Sequence, residues 1–80
     1  MKLSIKYCTS WGYLARAASV ADVISTKFGK EVEIDLIPSS GGVFEISLDG
    51  KLLYSKQNTG RFPDQQEVEG MLASIEQSSK

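Results

Sequence analysis

The chain has no histidine, one cysteine, one tryptophan and two prolines among 80 residues. Without an imidazole, Ser10 has no usual base to take its proton, so serine nucleophile chemistry is unsupported. One cysteine excludes an internal disulfide framework, and the absence of histidine argues against a structural zinc site. The acids Glu31, Glu33 and Asp35 therefore read as the solvated face of a strand, and no metal is expected. Nine basic and ten acidic residues leave a net charge of -1, with no long run of one sign. That balance lacks the basic stripe that nucleic acid or an anionic membrane surface would need. No apolar run approaches the roughly 20 residues of a membrane span. The opening MKLSIKYC alternates apolar and polar residues, so it reads as a strand and not as a signal-peptide core. No GxxxxGK[ST] or GxGxxG pattern surrounds Gly12 or Gly41-Gly42, and nucleotide binding is unsupported. These absences, with the lone thiol, set the expectation of a cytoplasmic, monomeric protein.

What is present is ordinary globular material, 41% hydrophobic and 24% charged, and its length suits one domain over residues 1–80. Leu3, Ile5 and Tyr7 alternate with Lys2, Ser4 and Lys6, the period of a strand with one covered face. After the turn Cys8-Thr9-Ser10-Trp11-Gly12 the period changes. Leu14, Ala17, Ala18, Ala21, Ile24 and Phe28 follow helical spacing from Tyr13 to about Phe28, and Gly29 suits a C-terminal cap. Val32, Ile34 and Leu36 alternate again until Pro38 ends the strand. Strand, helix and strand at this spacing predict a βαβ unit with parallel strands.

Past the Ser39–Gly42 loop, Phe44, Ile46 and Leu48 alternate, and Asp49-Gly50 predicts a type I′ hairpin returning through Lys51 to Lys56. A polar loop is expected from Gln57 to Pro63. Asp64 and Glu67 have capping-box spacing before a closing helix whose stripe is Val68, Met71, Leu72 and Ile75, with fraying expected over Gln77–Lys80. The predicted order is β-α-β-β-β-α: an α/β two-layer domain with both helices on one face of a four-stranded mixed sheet.

Cys8 lies between the first strand and the first helix. A helix N-terminus favours an anion, and a thiolate held there is the reactive form of cysteine. The plainer reading of a lone cysteine is a small buried hydrophobe, and position alone leaves the two even. Trp11 has no core partner in the pattern and reads first as a hydrophobic lid over the helix end.

The segment Tyr7-Cys8-Thr9-Ser10-Trp11-Gly12-Tyr13 resembles the selenoprotein W family of thioredoxin-like selenoproteins, whose motif is Cys-x-x-Sec or Cys-x-x-Cys in this place. The likeness continues through Leu14-Ala15-Arg16-Ala17-Ala18, Gly41 to Ile46, Asp49-Gly50-Lys51-Leu52 and Gly60-Arg61-Phe62-Pro63. It implies a thioredoxin-like fold and a thiol or selenol oxidoreductase of cell redox homeostasis, exchanging electrons with glutathione or protein thiols and needing no bound cofactor. Cys8 matches the first motif position, and Trp11 stands where the family carries selenocysteine or the second cysteine. A tryptophan cannot close the internal bond. UGA, the selenocysteine codon, is one base from the tryptophan codon UGG, so the resemblance implies that Trp11 replaces selenocysteine. Position 11 would then attack, Cys8 would resolve, and the backbone of Thr9 and Ser10 would support the thiolate. The alternatives are a one-thiol variant using Cys8 alone and a redox-inactive protein-binding module.

Overall fold

The computed structural model describes residues 1–78. Four strands, β1 (Lys2–Cys8), β2 (Glu33–Ser39), β3 (Phe44–Leu48) and β4 (Lys51–Ser55), form one sheet in the order β2-β1-β3-β4. β1 pairs parallel to β2 and antiparallel to β3, and β3 pairs antiparallel to β4, so the sheet is mixed. Among the described residues three α-helices, α1 (Tyr13–Phe28), the single turn α2 (Lys56–Thr59) and α3 (Gln65–Ser78), and a 3-10 turn at Gly29–Glu31 accompany the sheet.

Period-two alternation divides the sheet. Leu3, Ile5, Phe44, Ile46 and Leu48 are buried, whereas Lys2 and Lys6 on the opposite face are exposed. Ala17, Val20 and Ile24 of α1 and Met71 and Ile75 of α3 join those sheet residues in one apolar cluster. Both long helices thus cover the same face, the thioredoxin-like two-layer arrangement. Each fully buried Leu, Ile or Phe contributes about 1.5–3 kcal/mol through water exclusion, making this cluster the main source of stability.

Local chemistry sets the element ends. Asp49 and Gly50 both take positive φ (49° and 88°), as a type I′ turn requires. The Asp49 carboxylate then accepts the Lys2 N–H at 2.9 Å, and the Asp49 N–H donates to the Lys2 carbonyl at 2.8 Å, tying the hairpin to β1. Asp64 and Glu67 form the reciprocal capping box: the Glu67 N–H donates to Asp64 Oδ1 at 2.8 Å, and the Asp64 N–H to Glu67 Oε1 at 3.1 Å.

Several local expectations are corrected. Strand β2 runs through Pro38 to Ser39, because β2 is an edge strand and a proline costs least where one side forms no ladder. Lys56 leaves the return strand for α2, which replaces the first part of the expected polar loop. On α1 the covered residues are Tyr13, Ala17, Val20 and Ile24, while Leu14 and Ala18 face solvent. Helix α3 continues through Gln77 and Ser78; the remainder of the expected frayed end, Ser79 and Lys80, lies outside the described residues.

Candidate functional site

Cys8 ends β1 at its junction with the turn into α1 and is only 3% exposed. Its N–H donates to the Val43 carbonyl at 2.8 Å, which fastens the end of β1 to the Gly41–Val43 loop. The sulfur collects donors from two directions. The backbone N–H of Ser10 holds the thiol below its ordinary pKa most strongly; the Gly42 N–H and the Ser10 hydroxyl act in the same direction, against an upward pull from burial. The Thr9 N–H is spent on the Ser39 carbonyl at 3.1 Å, so Ser10, and not Thr9, faces the sulfur with its backbone donor.

These donors belong to the turn and to the Gly41-Gly42 loop, not to the first turn of α1. Gly12 caps α1 in the left-handed region (φ 74°) without a side-chain cap. The thiolate-stabilising environment therefore consists of amides from two separate loops. In the sequence Gly42 reads only as part of a turn, and its role as a donor is not expected there. Its glycine-rich loop was the only available signal, and its partner Cys8 is distant in the chain.

Trp11 is 80% exposed and holds φ at 58°, a left-handed conformation rare for a bulky residue. It is not a buried lid. Its ring lies 6.2 Å from that of Tyr13, and a Cβ built on Gly42 would stand 3.8 Å from Trp11 Cζ3 and 3.6 Å from the Tyr13 hydroxyl. Position 11 thus adjoins the loop that holds the Cys8 sulfur.

An aromatic stack continues away from this point. Tyr13 meets Phe62 edge-on at 4.8 Å, and Phe62 meets Phe44 at 5.1 Å. The Arg16 guanidinium lies 4.8 Å from the Phe62 centroid, and Lys56 Nζ lies 5.8 and 5.6 Å from the rings of Tyr13 and Phe62. Phe62 is held by a small polar knot. The Tyr54 hydroxyl donates to the Arg61 carbonyl at 2.7 Å and sits 2.8 Å from the Thr59 hydroxyl, which donates to the Ser55 carbonyl at 3.1 Å. The sequence places Phe62 in a polar loop, Arg16 on the first helix and Lys56 on the return strand, and nothing local brings the three beside the site.

Among the described residues no group of three or more Cys, Asp or Glu side chains converges, and no helix is long and apolar enough to cross a membrane. Glu33 and Asp35 lie on the edge strand β2 beside Lys2 and Ser4 of β1, and Asp35 pairs with Lys2 at 3.1 Å.

The Rdx family model matches residues 2–73. The chain is 30% identical to selenoprotein W of Danio rerio, over 98% of this chain and 94% of that one. It is 29% identical to migration and invasion enhancer 1 of Bos taurus over 85% of this chain, which spans 58% of that protein's length. A solved structure from Bordetella parapertussis superposes with a TM-score of 0.83 at 32% identity, covering 92% of this chain and 95% of the other. A selenoprotein W-related protein from Vibrio cholerae superposes at 0.76 with 26% identity, covering 89% and 95%.

Proposed function

The chain belongs to the Rdx family, and from that premise we propose that it is a thiol-dependent oxidoreductase of cell redox homeostasis that works through Cys8 and position 11. The observation that carries this reading is the convergence of the Ser10 and Gly42 amides on the Cys8 sulfur. Amide donors favour the thiolate, and the thiolate is the nucleophile of disulfide exchange.

In the chain as it stands, the Cys8 thiolate attacks one sulfur of a disulfide RS–SR. A Cys8–S–S–R bond forms, the RS–SR bond breaks, and RS⁻ leaves with the electron pair. Glutathione disulfide and protein disulfides are the substrate classes, in a cytoplasmic setting. With selenocysteine at position 11, the selenolate makes the first attack. The Cys8 thiolate then displaces RS⁻ and closes the internal Se–S bond, so the protein gives up two electrons. Two glutathione thiols reopen that bond and leave as glutathione disulfide.

The test is incubation with glutathione disulfide followed by intact mass. The wild-type chain should gain one glutathionyl group, lost in Cys8→Ser, and should not turn over. Trp11→Cys should instead close an internal disulfide between Cys8 and the introduced thiol, releasing two glutathione thiols per chain and retaining no glutathionyl group. A Cys8 that stays unmodified would sink the reading. Selenocysteine at position 11 is checked separately by the mass of protein from its natural source, where a selenium isotope envelope supports it and a clean tryptophan mass retires it.

A second reading, a protein-binding module, rests on the exposure of Trp11 (80%) and Leu14 (51%) beside the site. Aromatic anchors of this kind are common at interface centres. Under that reading Cys8→Ser leaves partner binding intact.

A further inference from the structure

Resting on the redox reading above, we propose that the surface built from Phe62, Arg16 and Lys56 binds a segment of a client protein that carries an acidic and an aliphatic residue beside its reacting disulfide. Arg16 and Lys56 approach the Tyr13–Phe62 rings, yet neither forms an ion pair with a carboxylate among the described residues. Arg61, the next cation on this side, is neutralised by Glu67 at 2.9 Å. Ring contact restrains the two cationic side chains and leaves their N–H donors available, so two preorganised, uncompensated positive charges face solvent.

Beside Arg16, between α1 and α3, lies a hollow of about 110 Å³ lined by Val20, Val23, Phe62 and Val68. That is room for one aliphatic side chain, with the guanidinium on the rim to receive a carboxylate. This surface leads toward the sulfur: Phe62 meets Tyr13, the Tyr13 hydroxyl lies beside the Gly42 loop, and the Gly42 amide faces Cys8. A segment seated there presents its disulfide at the Cys8 loop. Electrostatic complementarity of this sort acts mainly on encounter rate and partner choice. None of these features requires a particular residue at position 11.

The test uses cysteine peptides capped as mixed disulfides with thionitrobenzoate, whose yellow anion leaves as Cys8 forms the new bond. The flanks are Glu with Leu, Glu with Gly, or Lys with Leu. The Glu–Leu peptide should react about tenfold faster than the Lys–Leu peptide at low salt and faster than Glu–Gly. The charge preference should fall below about threefold near 1 M salt, where the screening length is roughly 3 Å. Arg16→Glu with Lys56→Glu should reverse it, and Arg16→Gln with Lys56→Gln, a milder pair, should flatten it while the protein stays folded by circular dichroism. Equal rates for all three peptides would overturn the inference and leave the redox reading standing. If Cys8 reacts with none of them, the redox reading fails. The surface is then judged by Trp11 fluorescence during titration with the cysteine-free Glu–Leu peptide, where saturable, salt-sensitive binding supports it and a flat titration ends it.

Discussion

The Cys8 sulfur is both buried in the apolar cluster and held by amide donors, so burial and reactivity are not alternatives at this residue. Gly42 supplies one of those amides at φ 73°, where an L side chain is strained but meets no neighbour closer than 3.6 Å. Gly42→Ala should therefore cost about 1 kcal/mol by denaturant unfolding, from left-handed backbone strain and not from a clash. As the loop relaxes, the Cys8 thiol should titrate higher than in the wild type, read by ultraviolet absorbance of the thiolate. Trp11→Gly should act oppositely on stability, relieving about 1 kcal/mol at φ 58°. Half of the site was readable at this scale. Cys8 is suggested by its place between a strand and a helix, and position 11 only by the likeness to the Cys-x-x-Sec motif. The Gly42 donor is a long-range contact that appears only once β1 and β3 pair, and Thr9 and Ser10 are told apart only by where each N–H points.

At the scale of elements, the capping box and the Tyr54 knot do different work. Asp64→Ala removes the acceptor for the Glu67 N–H and should cost about 1 kcal/mol without touching Cys8. Tyr54→Phe leaves the Arg61 carbonyl without its 2.7 Å donor and should cost a similar amount. Because that bond steadies the residue before Phe62, Tyr54→Phe should also weaken the charge preference for acidic peptides, which Asp64→Ala should not. The elements with strong periodicity were legible: β1, β3, the hairpin turn and the capping box all lie where alternation or turn chemistry places them. Pro38 misled because its tolerance depends on β2 being an edge, a property of sheet order and not of local sequence. The turn α2 is polar throughout and carries no periodic signal. On α1 both Leu14 and Val20 suit a 3.6-residue period, and only the direction of the sheet decides that Val20 is the covered one.

Across the whole molecule, one layer of helices and one sheet share a small core, so single truncations weigh heavily. Phe44→Ala, at a fully buried position beneath Phe62, should cost about 3–5 kcal/mol, enough to threaten folding of a chain this short. Global stability should also carry the signature of the thiol. The folded-state pKa of Cys8 lies below that of the unfolded chain, so the unfolded state binds more protons between the two values. Stability should rise with pH across that window, be fully present above the ordinary thiol value near ~8.5, and be lost as pH falls through the folded value. Cys8→Ser should remove that limb of the profile. The most direct measurement is the rate of Cys8 alkylation by iodoacetamide in the folded protein as a function of pH. A half-maximal rate clearly below the ordinary thiol pKa is predicted, with Gly42→Ala shifting it upward. A midpoint at or above the ordinary value, or labelling only after unfolding, would contradict a thiolate poised for exchange.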